Sequence, residues 1–265
     1  MKIPIYQVDA FASRVFSGNP AAVCILEEWL DDSLLQSIAA ENNLSETAFV
    51  VSQGQMFDLR WFTPATEVAL CGHATLATAF VLFHVYHHPE KTVFFQTSQR
   101  GRLAVTRKDD LLELDFPAMN IYEQAAPDGL AEALHIEPQQ VFGSADDLLA
   151  VFGSEEDIRG IQPDFSRLEQ VDCRGVIVTA RGNECDFVSR FFGPQVGIPE
   201  DPVTGSAHCV LAPYWAQRLG KNSLHALQVS SRGGELFCQN AGDRVRISGR
   251  AVMYMQGEID ISGYF

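Results

Sequence analysis

Several kinds of segment are missing from this chain, and each absence removes a class of function. No basic arm or patch interrupts the acidic composition: 19 Lys and Arg stand against 34 Asp and Glu, a formal net charge of −15. A surface of that sign repels nucleic acid and anionic membranes, so neither is expected as a partner. No apolar run approaches the roughly 20 residues that span a bilayer. The most apolar stretch, Cys71 to Tyr86, is broken by His73, Thr75, Thr78 and His84. The N-terminal MKIPIYQVDAF lacks an apolar signal core with a cleavage site. The expectation is a soluble, cytoplasmic chain.

Chemical signatures are missing as well. There is no Gly-x-Ser-x-Gly elbow, no Walker loop and no Gly-x-Gly-x-x-Gly after a strand. Hydrolase, nucleotide and dinucleotide readings therefore lack their nucleophile or phosphate signals. Cys24, Cys71, Cys173, Cys185, Cys209 and Cys238 have no paired spacing, which reads as reduced, mostly buried thiols. A zinc site needs four converging ligands. Cys71-x-His73 and His208-Cys209 fall short of that, so no metal and no other cofactor is expected. His84, His87 and His88 have a helix-face spacing that can bind metal, but cations are also favoured at helix C-termini, and the plainer reading is taken.

What the chain does have is a stretch that occurs twice. Arg60-Trp61-Phe62-Thr63-Pro64 is answered by Arg190-Phe191-Phe192-Gly193-Pro194. Glu67-Val68-Ala69-Leu70-Cys71-Gly72-His73-Ala74 is answered by Glu200-Asp201-Pro202-Val203-Thr204-Gly205-Ser206-Ala207. In each copy a Glu precedes a Gly by the same interval, and the Gly opens an apolar helical run. A repeated strand–loop–helix unit marks a duplicated domain. The 265 residues suit two domains of roughly 100–150 residues each, placed at 1–118 and 119–265, with the last strand free to pack on the first domain. No low-complexity linker separates them.

Alternation and β-branched content predict strands over Ile3 to Phe11, Ala21 to Leu26, Thr47 to Ser52 and Met56 to Phe62, with Pro4 pushing the first toward a sheet edge. Asp31 or Asp32 can cap a helix through Ala40. The run from Gly72 to Tyr86 is apolar nearly all round, the pattern of a helix wrapped by sheet. A second such helix is expected from Gly205 to Leu219, kinked at Pro213.

A glycine ahead of a helix lets backbone approach a ligand, and the first N–H groups of the helix bind anions. Gly72 and Gly205 at two facing helix starts would cradle a small carboxylate, with His73, Asp201 and Ser206 beside it. Glu46 alone reads as a solvated strand-end carboxylate. A Glu becomes a useful base only where burial and neighbours bring its pKa toward the working pH. Cys71 could serve as an acid/base thiol, but the second copy offers Val203 and Thr204 where a partner thiol would stand. Glu46, His73 and Asp201 remain as available proton carriers.

The residues are also familiar. Tyr6-Gln7-Val8-Asp9-Ala10-Phe11, Gly18-Asn19-Pro20-Ala21, Leu44-Ser45-Glu46-Thr47-Ala48-Phe49, Leu70-Cys71-Gly72-His73-Ala74-Thr75, Leu114-Asp115-Phe116-Pro117-Ala118 and Glu200 to His208, in that order, resemble the PhzF (phenazine-biosynthesis-like) family over nearly the full length. The resemblance implies an α/β (α+β) fold of the diaminopimelate epimerase type. In it, two similar domains each wrap a curved mixed sheet around a central helix, with the active site in the cleft between them. It implies a cofactor-independent isomerase of a small, cyclic carboxylate, resembling the trans-2,3-dihydro-3-hydroxyanthranilate isomerase of phenazine synthesis. Glu46 would be the acid/base, with His73 and Asp201 orienting or relaying protons. Gly72, Gly205, Ser206 and Asn19 would bind the substrate. A homodimer is a family-level expectation. The alternatives are an amino- or hydroxy-acid epimerase using Cys71, and a non-enzymatic binder of small ligands.

Overall fold

The computed structural model describes residues 1–145 and 147–264. The chain forms two compact units, Met1–Asp115 with Ser248–Phe265, and Phe116–Ile247.

The first unit opens with β1 (Lys2–Ala10), β2 (Asn19–Leu26), α1 (Asp32–Asn42) and β3 (Glu46–Gln53). It continues through β4 (Met56–Phe62), β5 (Glu67–Val68), α2 (Gly72–His84), β6 (Thr92–Thr97), β7 (Gly101–Lys108) and β8 (Leu111–Pro117). Its sheet is mixed. β1 runs antiparallel to β2 and β2 parallel to β3; β3 with β4 and β4 with β5 are antiparallel; β4 with β6 is parallel. Leu34, Leu35 and Ile38 of α1 pack on Phe49 and Phe62 from one side of this sheet. α2 packs against β1, β2, β3 and β7. Of its residues only Gly72, Phe80 and His84 escape burial, which is why the sequence shows no polar face there.

The second unit contains β9 (Tyr122–Gln124), α3 (Leu130–Leu134), β10 (Gln140–Gly143), β11 (Asp147–Val151), α4 (Glu155–Gly160), α5 (Phe165–Leu168) and β12 (Gly175–Arg181). After these come β13 (Phe187–Gly193), β14 (Ile198–Asp201), α6 (Gly205–Leu219), β15 (Ser223–Gln228), β16 (Gly234–Asn240) and β17 (Arg244–Gly249). Its wiring repeats the first. β10 runs antiparallel to β11 and β11 parallel to β12; β12 with β13 and β13 with β14 are antiparallel; β13 with β15 is parallel. Even the outer strand is matched: β9 lies antiparallel to β10, and the last strand of the chain, β18 (Ala251–Asp260), lies antiparallel to β1. The short internal repeat is therefore the visible part of a duplicated topology.

Two prolines fall at informative places. β1 is not an edge strand, since β18 and β2 flank it. Pro4 is tolerated because the register with β2 begins one residue later, at Ile5. Pro213 lies inside α6 and cannot donate to the carbonyl of Cys209. That carbonyl accepts instead from the Met119 N–H at 3.0 Å, so the helix continues to Leu219 without leaving it unpaired. Among the described residues no helix is long and apolar enough to cross a membrane.

Candidate active site

In the first unit two elements, β3 and α2, bring Glu46, Cys71 and His73 together. Glu46 is the first residue of β3 and is buried, 8% exposed. The solvated carboxylate expected from its local sequence is thus corrected: β3 runs parallel beside β2 from its first residue, Ala21 opposite Glu46, and this carries the side chain inward. Cys71 is the N-cap of α2, and His73 lies in the helix's first turn. Thr75 secures that turn by donating from Oγ1 to the Cys71 carbonyl at 2.6 Å.

The His73 Nε2 lies 3.2 Å from Glu46 Oε2. This is an ion-pair approach whose angles fall outside a hydrogen bond, so Oε2 has no hydrogen-bond donor of its own. On the other side of the ring, Asn19 Nδ2 sits 3.1 Å from Nδ1. An amide N–H can only donate, so in the neutral ring Nδ1 accepts and the proton resides on Nε2; in the imidazolium Nδ1 carries a proton too, and the amide turns its oxygen toward it. Burial pulls the imidazole pKa down, but the Cys71 sulfur and the Glu46 carboxylate together raise it well above the ordinary value. Burial, followed by the Glu46 charge, pushes the Cys71 thiol up to about 11. At neutral pH Cys71 is a thiol, and of these two neighbours Glu46 is the one that favours imidazolium.

Asn19 is positioned by a turn that demands glycine. Gly18 has φ +68°, and a Cβ there would lie 2.1 Å from the Ala10 carbonyl oxygen. Only glycine lets the chain reverse tightly enough to send Asn19 into β2 under His73.

The second unit has its own polar cluster. Asp201 ends β14, buried, and accepts from Thr204 Oγ1 at 2.6 Å. Thr204 is the N-cap of α6, the place Cys71 holds on α2. Ser206 is partly exposed in the first turn, after buried Gly205. Gln228, missed in the sequence reading, holds the loop. Its Nε2 donates to the Asp201 carbonyl at 2.8 Å and to Thr204 Oγ1 at 3.1 Å, and its Oε1 accepts from Thr204 N at 2.8 Å. Gln228 follows Leu224 and Ala226 at alternate positions of β15, the strand's inward face, and an amide at that place was the available signal.

Neither helix has a capping side chain, and neither carries an acidic residue in its first turn. Their first N–H groups therefore keep their affinity for anions. The histidines of the α2 terminus do not form a metal cluster. His84 stacks on Phe80 at 4.1 Å, while the His88 ring meets Phe57 and Phe83 edge-on. Cys209 is buried in the core, as expected, its thiol raised by burial to about 12.

Known proteins share this architecture. An uncharacterized isomerase from Pseudomonas aeruginosa is 56% identical over 262 residues, covering 99% of this chain and all of that protein. The crystal structure of a phenazine biosynthesis protein of the PhzF family from Enterococcus faecalis matches with a TM-score of 0.96 at 50% identity, covering 98% of this chain and all of the other. A hydroxyproline epimerase from Agrobacterium vitis, 12% identical with a TM-score of 0.61, covers 98% of this chain and 93% of its own, and shows the same epimerase-like fold. The family model described as phenazine biosynthesis-like protein, PhzC-PhzF, matches residues 8–257, and the chain belongs to that family.

Proposed function

We propose that this protein is a cofactor-independent isomerase that moves a proton within a small, cyclic carboxylate, with Glu46 as the acid/base. The observation that carries the reading is the buried Glu46–His73 pair at 3.2 Å, with Oε2 uncommitted to any hydrogen bond. A carboxylate in that condition has a lone pair ready for a proton from carbon. His73 Nε2–H beside it would steady the negative charge on the carboxylate before the proton arrives. The relatives named as isomerases support the class of reaction.

Gly72 and the backbone around it would hold the substrate's anionic end through the uncapped start of α2. Asn19 would act chiefly by fixing the His73 ring. In the second unit, Asp201 is proposed as a proton carrier, and Gly205 and Ser206 as anion contacts. The Thr204 hydroxyl is already committed to Asp201. An epimerase using Cys71 as base is disfavoured, because a thiol raised to about 11 supplies little thiolate at neutral pH, and Thr204 stands where a partner thiol would be needed.

The test begins with a thermal-shift screen of small cyclic carboxylates, since a ligand that binds only the folded state raises its melting temperature. Each hit is then incubated in D₂O with wild type, Glu46→Gln and Cys71→Ser, and deuterium in the ligand is read by mass spectrometry. Glu46→Gln should bind but not exchange, a loss on the order of 10²–10⁴-fold in rate. Undiminished exchange in Glu46→Gln, with exchange lost in Cys71→Ser, would transfer the role to Cys71.

A further inference from the structure

We infer that Glu46, Cys71 and His73 form a binding site for one thiophilic divalent cation, zinc being the best match. A carboxylate oxygen, a thiol sulfur and an imidazole nitrogen, all from buried residues, lie within 4.8 Å of one another. Cys71-x-His73 alone offers too few ligands; the fold supplies Glu46 from a different element.

The spacing suits one ion. Zinc bonds are about 2.3 Å to sulfur and about 2.0–2.2 Å to nitrogen and oxygen, so two ligands of one tetrahedral ion stand about 3.2–3.7 Å apart. Here His73 Nε2 and Glu46 Oε2 are 3.2 Å apart, and the Cys71 sulfur is 3.9 Å from the same nitrogen, a few tenths of an ångström beyond that range and within reach of a small rotation of the thiol. Glu46 Oε2 is buried without a hydrogen-bond donor, and so offers a lone pair that a cation would take. Asn19 on the opposite ring nitrogen is the outer partner that metal-bound histidines need. Its amide can present the oxygen after a half-turn when Nδ1 carries the proton.

The ligand types choose the metal. Sulfur and imidazole suit zinc or cobalt and not magnesium or calcium. Binding displaces the Cys71 thiol proton. From the neutral ring the Nε2 proton relocates to Nδ1 and one proton is released to solvent; from the imidazolium the Nε2 proton leaves as well and two are released. The ion's two positive charges are balanced by carboxylate and thiolate. Three protein ligands leave a fourth position for water or another donor. Because the ion uses the Glu46 lone pair, occupancy and proton transfer by Glu46 exclude each other. That consequence rests on the isomerase reading; the binding does not.

The experiment measures binding without turnover. Chelator-treated protein is titrated with Co²⁺, and the near-ultraviolet sulfur-to-cobalt charge-transfer band is followed; Zn²⁺ then competes it away. The expected result is one equivalent bound, with the band absent in Cys71→Ser and affinity reduced at least about tenfold in Glu46→Gln and His73→Gln. Cys209→Ser, a core thiol outside the cluster, should keep the band. Absence of the band in wild-type protein, or its persistence in Cys71→Ser, overturns the site. Wild type alone decides the matter should a variant fail to fold. If the band appears and Zn²⁺ leaves deuterium exchange untouched, the metal site stands and Glu46 as base falls.

Discussion

Arg60 donates to both carboxylate oxygens of Glu67, from Nε at 2.8 Å and from Nη2 at 2.7 Å. Arg190 holds Glu200 in the same bidentate way, at 2.8 and 3.0 Å. Each guanidinium also lies over the phenylalanine two residues on, Phe62 at 5.1 Å and Phe192 at 4.9 Å, because residues two apart share a strand face. Each reaches a helix besides: Arg60 Nη1 to Asp32 of α1, Arg190 Nη1 to the carbonyls of Ile158 and Ile161 at the end of α4. The repeated Arg and Glu are thus a clamp on the strand that leads into each long helix. They do not belong to the proton chemistry.

The two clamps should differ in strength. The Arg190 and Glu200 side chains are 11% and 21% exposed, and Arg60's is 19% exposed with its second partner Asp32 at 77%. Arg190→Ala leaves a carboxylate and two carbonyls poorly satisfied and should cost about 3–5 kcal/mol. Arg60→Ala should cost about 1–2 kcal/mol, since water reaches its partners. Urea unfolding of both variants measures this, and a larger loss for Arg60→Ala would contradict the burial argument.

Asn19 gives a prediction about orientation. Asn19→Ala removes the partner of His73 Nδ1 while leaving Glu46 and His73 in place. The ring then loses its fixed tautomer and plane. Solvent exchange of a bound carboxylate should slow by about 10²-fold, the order of effect a misplaced group produces, with the thermal shift caused by the ligand largely kept. Loss of ligand binding with an unchanged exchange rate at saturation would instead make Asn19 a substrate contact.

Gln228 makes three hydrogen bonds to the segment holding Asp201 and Thr204. Gln228→Leu removes all three in a buried place and should destabilise by about 2–4 kcal/mol, as unsatisfied buried groups do. Gln228→Glu restores only the acceptor, so it should recover little. A denaturation midpoint for Gln228→Leu matching wild type would show that the loop holds itself.

The sequence announced the duplication because its most constrained parts are short and local: an Arg and a Phe on one strand face, a Glu at the next, a Gly at the helix start. It also announced the buried long helices, through runs without a polar face. The last strand was left free to pack on the first domain, but its partner and register were not legible, because β18 joins β1 across nearly the whole chain and no local pattern encodes such a partner. Burial of Glu46 was hidden for a similar reason. Its neighbours Ser45 and Thr47 look like a strand end at the surface, and only the parallel pairing of β3 with β2 turns the carboxylate inward. Gln228 and Thr204 were hidden because their hydrogen bonds join positions 24 residues apart.

His208 supplies the last test, through pH. Its ring is fully buried on α6, its Nδ1–H donates to the Thr204 carbonyl at 2.9 Å, and its Nε2 has no hydrogen-bond partner. Burial depresses its pKa from the ordinary 6.5 to about 4. Between those values the unfolded chain binds a proton that the folded chain refuses, so stability falls as pH drops through that window. The full effect, reached below pH 4, is of order 3 kcal/mol. His73 works with the opposite sign: its raised pKa contributes stability at low pH that is lost as pH rises through the folded value. The two are separated by His208→Asn, which keeps a donor toward the Thr204 carbonyl but cannot titrate. Melting temperatures of wild type and His208→Asn, measured from pH 7 down to 4, should diverge, with wild type losing more. Parallel curves would mean that the folded protein protonates His208 readily, and that the helix is open enough there for water to reach the ring.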